Sequence, residues 1–322
     1  MVHDTLFVTG GGGLIGRELL AAVAADGDLR VRALSRSPRA PGTAQGAVSG
    51  AAVGESESGA VEWVQGDLLD PAPWMTRLEG CRAILHLGAS TGRASAAVHR
   101  AVNLEATRAL VRAARDARVA RFVFVSSIAA TYPEVTRYPY AAAKQEAEHA
   151  VRVSSLDWTV LRPTIVLGSR GGPGPALAAF ARRSRTPIFG PGLVRVQPLG
   201  AADCARLILE STRDPGTSRQ SIDLGGPDVL TFRELLVRLR TAQGQEGERF
   251  LQLPLGPALW AAWGLERLLG PRLPVLAGQL YPFRYDSTAQ PSSFLDARMP
   301  LLSRIDAVLA GLVRELGAAA HG

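Results

Sequence analysis

Gly10-Gly11-Gly12-Gly13-Leu14-Ile15-Gly16 is the stretch on which the fold turns. It follows a short apolar run, Thr5 to Thr9, and opens onto Leu14 to Ala25, which is rich in Leu and Ala and reads as a helix. Glycines between a strand and a helix let the chain turn tightly and let its backbone approach a bound group. A pyrophosphate then meets the free N–H groups at the helix N-terminus. The run satisfies both Gly11-x-Gly13-x-x-Gly16 and Thr9-Gly10-x-x-Gly13-x-x-Gly16, which predicts a dinucleotide site at the first βα turn.

Working outward, strand and helix keep alternating. Apolar runs at Leu29 to Leu34, Val61 to Val64, Ala83 to Leu87, Arg121 to Val125 and Trp158 to Leu161 read as strands. Val98 to Ala117 and Tyr138 to Val153 read as helices between them. The strands are apolar on both faces, the pattern of a parallel sheet covered by helices on both sides. The expected class is α/β, a doubly wound (Rossmann) parallel sheet with a smaller C-terminal substrate lobe. Residues 1–168 would form the nucleotide-binding part and 169–322 mainly the lobe, with about 200–225 returning to the sheet. In that second part, helices are expected near Ala201–Ser211, Thr231–Ala242 and Pro257–Leu269, with a strand at Ser221–Leu224. Residues 37 to 60 are mostly Gly, Ala, Ser and Pro and read as a loop or insertion.

Composition narrows the function. The net charge of +7 comes from basic residues spread from Arg17 to Arg314, with Arg182-Arg183-Ser184-Arg185 as the one tight cluster, so a nucleic-acid partner is not expected. Two cysteines cannot build a disulfide framework, no leader is expected before the first strand, and no run is long and apolar enough to span a bilayer. A cytoplasmic protein is the expectation. His86, His99 and His149 have no carboxylate or second histidine at ligand spacing, so no metal is expected.

Among 36 basic residues, 35 are Arg and one is Lys144. Arginine cannot replace lysine where a compact ammonium must fit beside a buried partner, which marks Lys144 as a candidate functional residue. It closes Tyr140-Ala141-Ala142-Ala143-Lys144 at the start of a helix, so Tyr140 and Lys144 lie one turn apart on one face. Ser127 precedes the tyrosine by 13 residues, at the end of a strand. A tyrosine titrating near pH 10 needs a nearby cation for acid–base work near neutrality. The second strand ends Ser35-Arg36 with no acid to receive a ribose 2′-hydroxyl. Arg36 and Ser35 suit a 2′-phosphate instead, so NADP(H) is preferred and NAD(H) stays open.

With these residues in order, the chain resembles the short-chain dehydrogenase/reductase superfamily over almost its whole length. The resemblance rests on Thr9-Gly10-x-x-Gly13-x-x-Gly16, Gly66-Asp67, His86-Leu87-Gly88-Ala89, Asn103, Ser126-Ser127, Tyr140-x-x-x-Lys144 and Arg162-Pro163-Thr164. Asp203 and Leu224-Gly225-Gly226-Pro227 look like the extended or atypical branch, with its epimerase/dehydratase-like and 3β-hydroxysteroid dehydrogenase-like members. The resemblance implies catalysis by Ser127, Tyr140 and Lys144, with Asn103 holding a water or backbone group behind the lysine. It implies cofactor contacts from Thr9, Gly10, Gly13, Leu14, Ile15, Gly16, Ser35, Arg36, Asp67, Leu68, Leu87, Gly88, Ala89, Tyr140, Lys144, Pro163 and Thr164. Ile128-Ala129-Ala130-Thr131-Tyr132-Pro133 departs from the dehydratase pattern, since it lacks an Asp-Glu pair.

The implied function is hydride transfer between nicotinamide and a hydroxyl or carbonyl of a small molecule. A nucleotide-sugar epimerase with a transient keto step, and a non-catalytic NADPH-binding accessory or sensor protein, are the alternatives. Leu251 to Leu280, with Trp260 and Trp263, reads first as a helix packing on the core. The sharper reading is a mouth for a lipophilic substrate or a patch resting on a membrane surface. Arg182, Arg183 and Arg195 could instead grip a substrate diphosphate. The oligomeric state is not legible.

Overall fold

The computed structural model describes residues 4–37, 60–245, 247, 250–269 and 277–319. Most of the loop expected at 37–60, namely 38–59, and the 270–276 part of the Trp-rich segment therefore lie outside the described residues. Seven parallel strands make the central sheet: β1 (Asp4–Thr9), β2 (Leu29–Ser35), β3 (Val61–Gln65), β4 (Ala83–His86), β5 (Arg121–Val125), β6 (Asp157–Pro163) and the strand Gln220–Leu224. Their order across the sheet is Gln220–Leu224, β6, β5, β4, β1, β2, β3.

Side-chain alternation explains why the sheet has a core on each face. In β5, Phe122 and Phe124 enter one apolar cluster, with Trp74, Leu104 and Ala147, while Val123 and Val125 enter the other, with Leu19, Leu20 and Ile208. β1 does the same, sending Phe7 one way and Leu6 and Val8 the other. Helix α1 (Leu14–Asp26) and the helix Ala201–Arg213 supply apolar residues to the second cluster. The first is covered from the other side. The helix expected from Val98 to Ala117 is divided there into α2 (Ala96–His99), a wide π-turn at Arg100–Glu105, and α3 (Ala106–Asp116). An inserted π-turn of this kind is frequent at functional sites, and this one carries Asn103. Helix α4 (Pro139–Arg152) completes this face, started by Pro139 in its first turn.

Beyond β6 the chain makes three small two-stranded sheets and a third apolar core, built around Ile188, Leu235, Leu239 and Leu309. The helix Phe232–Ala242 opens with a reciprocal cap, in which Thr231 accepts from the Glu234 backbone and the Glu234 side chain accepts in return. The helix Leu255–Leu269 follows the strand Phe250–Leu253. Among the described residues no helix is long and apolar enough to cross a membrane.

Candidate active site

The chain leaves β1 toward β2 and β3, and β4 then arrives on the other side of β1. Ligands of open α/β sheets bind at such a reversal, outside the carboxyl ends of the strands. A cleft of about 550 Å³ opens there. Gly10, Gly13, Ser35, Arg36, Asp67 and Leu68 line it, as do Leu87, Gly88, Ala89 and Ser90.

The glycine turn fits a pyrophosphate for two reasons. Its backbone lies too close to its neighbours to carry side chains: a Cβ on Gly16 would stand 2.3 Å from the Gly10 carbonyl oxygen. One on Gly10, whose φ is +75°, would stand 2.7 Å from the Gly88 nitrogen. In addition, Gly13 caps α1 without a side-chain hydrogen bond and the first turn holds no acid, so no side chain offsets the positive end of the helix.

Other expected cofactor residues act through the backbone or the framework. Thr9 is buried, with its hydroxyl 2.6 Å from His86 Nδ1 and accepting from the Gly88 N–H at 3.1 Å. Leu14 and Ile15 turn their side chains onto the sheet core, and Leu14 also packs over Gly168 and Gly172. Ser35 donates to the Ser37 carbonyl at 3.0 Å, and Asp67 Oδ1 accepts from the Leu69 N–H at 2.9 Å. Leu68 lies against Gly88. Pro163 and Thr164 fasten β6 to the returning strand: Pro163 pairs with Leu224, and the Thr164 N–H donates to the Leu224 carbonyl at 2.9 Å. They do not line the cleft. Arg36 is exposed at the cleft edge.

Asn103 is fully buried, and the group it holds is backbone. Its Oδ1 accepts from the Ser90 N–H at 2.8 Å and its Nδ2 donates to the Ser90 carbonyl at 2.9 Å. Ser90 thereby becomes a fixed wall of the cleft, a role no sequence signal marks. His86, read as structural, lies between Thr9 and Thr107, with Nε2 2.9 Å from the Thr107 hydroxyl. Complete burial, and secondarily the Lys144 charge, push its pKa down to about 3, so the ring is neutral.

On α4, Tyr140, Lys144 and Glu148 recur at intervals of four and share a face. Tyr140 lies close to the Ser127 side chain. Ser127 itself caps a short 3₁₀ turn, accepting from the Ala129 N–H at 3.2 Å. Burial raises the tyrosine's pKa, while the Ser127 side chain pulls it back, so the phenol holds its proton near neutrality. Lys144 is 1% exposed. Its Nζ donates to the Val125 carbonyl at 2.8 Å and lies 4.7 Å from the centre of the Phe124 ring. Burial brings its pKa down to about 7, against the opposing pull of Glu148.

Glu148 is the residue the sequence reading missed. It is 1% exposed and accepts from Ser126 at 2.6 Å, from Arg152 at 2.7 Å and from Arg162 through both oxygens at 2.9 and 2.7 Å. Burial alone would raise its carboxyl. The hydrogen bonds from Arg162, Ser126 and Arg152, with the Arg162 charge, hold it below the usual carboxylate range. The signal was available, since residue 148 continues the 140–144 spacing. Arg195, one of three arginines read as an alternative grip for a substrate diphosphate, is paired with Asp286 at 2.8 Å.

A family model described as NAD(P)H-binding matches residues 10–176, more than half of the chain. The chain belongs to this family of NAD(P)H-binding proteins, within the short-chain dehydrogenase/reductase superfamily. Several curated relatives align along most of it, two of them as follows. A ceramide reductase of Caulobacter vibrioides is 29% identical over 77% of this chain and 73% of its own. A 4-hydroxy-2-methyl-3-oxo-4-farnesyl-3,4-dihydroquinoline-1-oxide ketoreductase of Stigmatella aurantiaca is 28% identical over 80% of each. The UDP-glucuronic acid 4-epimerase of Bacillus cereus, solved with UDP-glucuronic acid and NAD, superposes with a TM-score of 0.72 over 98% of this chain and 99% of its own. At 15% identity this likeness is one of fold.

Proposed function

We propose that the protein is an NADPH-preferring reductase that converts a carbonyl to a hydroxyl, with Tyr140 as the proton donor. The observation that carries the reading is Tyr140 beside Ser127 and one turn of α4 from the buried Lys144, whose Nζ is held by the Val125 carbonyl at 2.8 Å. When bound, the nicotinamide supplies the hydride to the carbonyl carbon. Ser127 donates to the substrate oxygen and steadies the charge that grows there. Tyr140 gives that oxygen its proton, and Lys144 lowers the cost of the phenolate left behind. Arg36 at the cleft edge, with no acid ending β2, supports NADPH over NADH.

Reduction is favoured over epimerisation because four of the five curated relatives that align along 70% or more of the chain are named reductases, against one named a sugar epimerase. The complete set of Ser127, Tyr140 and Lys144 also argues against a merely accessory protein. Tyr140→Phe tests the mechanism: turnover should fall about 10²- to 10⁴-fold while NADPH affinity, read by calorimetry, stays nearly unchanged. Wild-type turnover in that variant would end the reading.

A further inference from the structure

The wall beside Tyr140 is a run of aromatic rings that ends in a second cavity. The Tyr140 ring centre lies 5.7 Å from that of Tyr138, and Tyr138 stacks on Tyr281 at 5.9 Å. Tyr281 in turn lines a cavity of about 340 Å³ that shares no residue with the dinucleotide cleft. Leu255, Leu259, Trp260 and Trp263, all from the helix Leu255–Leu269, make its apolar walls. The two indoles meet edge to face at 6.0 Å, and they stay 68% and 44% exposed.

Large apolar side chains gathered around a concave opening recover the cost of their exposure only when something apolar enters. A polar ligand finds little here. The non-aromatic polar groups in the lining are Arg137 and Arg284, and Arg284 is already paired with Glu134 at 3.2 Å. Among the described residues, no carboxylate, carboxamide or hydroxyl other than the Tyr281 phenol lines the cavity to read a sugar or a base edge.

We propose that this cavity receives the apolar tail of the substrate, so that the substrate class is a ketone carrying a long alkyl or prenyl chain rather than a nucleotide sugar. The proposal rests on the reductase reading above: the carbonyl sits at Tyr140 and the tail runs past Tyr138 and Tyr281 onto the indoles. The position is specific enough to set a preference, because each methylene buried against the walls strengthens binding about fourfold.

The test is a homologous series of methyl ketones of increasing chain length, followed by NADPH oxidation. Tryptophan fluorescence on adding a long-chain alcohol provides a second readout that needs no turnover. In the wild type, kcat/KM should climb by up to about fourfold per methylene until the cavity is full. In Trp260→Ser/Trp263→Ser, checked for an unaltered melt, the ratio of long- to short-chain kcat/KM should collapse by at least tenfold. Reduction of ketones without chain-length preference would overturn the tail site and leave the reductase reading standing. Turnover of UDP-sugars with no fluorescence response to the long-chain alcohol would overturn it as well. If no ketone is reduced but the long-chain alcohol quenches wild-type and Tyr140→Phe fluorescence alike, the tail site stands and the reductase reading falls.

Discussion

Helix α4 and the helix Leu255–Leu269 are nearly the same length, 14 and 15 residues, and they invert each other's chemistry. α4 buries a lysine and a glutamate, each 1% exposed, while the other helix leaves two tryptophans in the open. Both break the ordinary partition of polar outside and apolar inside, and departures of this kind are what point to function. A buried charge must be held by partners and so fixes geometry. An indole that stays largely exposed keeps apolar surface available for a ligand. On the proposed reading, the contrast separates a rigid chemical centre from an adaptable recognition surface within one chain.

The sharpest way to break that contrast is to remove the carboxylate that anchors the rigid side. Glu148→Ala leaves Arg162, Arg152 and Ser126 facing a buried gap, and uncompensated partners of a buried pair cost about 3–5 kcal/mol. Urea unfolding at neutral pH should show a loss of that order. The acid arm adds a signed test. Because the folded carboxyl titrates below its ordinary value of 4.5, its contribution is present above that pH and disappears as pH falls through the depressed value. Wild-type stability should therefore drop more steeply below pH 4.5 than that of Glu148→Ala. Equal slopes, or a loss under about 1 kcal/mol, would mean that the network does not hold the site.

A smaller effect is expected at the cleft edge, where a charge works in water rather than in the core. Arg36 is exposed and makes no hydrogen bond or ion pair with a described residue. Arg36→Ala should cut NADPH affinity about ten- to a hundredfold, or about 1.5–3 kcal/mol, and leave NADH affinity nearly unchanged. Calorimetric titration of both nucleotides reads the difference. Parallel losses for the two would assign Arg36 to the shared part of the cofactor and remove the basis for an NADPH preference.

The rigid side was also the legible side. Glycines that cannot carry a Cβ, strands apolar on both faces, and a tyrosine and lysine one turn apart each leave a local trace, because each answers a local steric or electrostatic demand. The Gly10–Gly16 turn and Ser127, Tyr140 and Lys144 could be read for that reason. What the sequence did not show is which partners the other site residues meet, because those contacts are distant in sequence. Glu148 on α4 meets Arg162 on β6, Asn103 holds the Ser90 backbone 13 residues earlier, and Thr9 meets His86 from another strand. The division of the helix at Arg100–Glu105 is equally silent, since the composition of that stretch suits an ordinary helix. For Trp260 and Trp263 the sequence offered core packing and an open apolar mouth together, and only their exposure separates the two.

That exposure supplies the mildest and most discriminating comparison with α4. Trp260 is 68% exposed, and among the described residues its ring meets that of Trp263 edge to face. Truncating it opens no cavity and strands no polar group, the two main routes by which a substitution costs several kcal/mol. Trp260→Ser should therefore change unfolding free energy by no more than about 0.5 kcal/mol, as surface substitutions do. The midpoint of a urea titration, with an unchanged slope, is the measurement. A loss above about 2 kcal/mol would mean that the indole is packed in solution, the helix is then an ordinary piece of core, and the contrast with α4 dissolves.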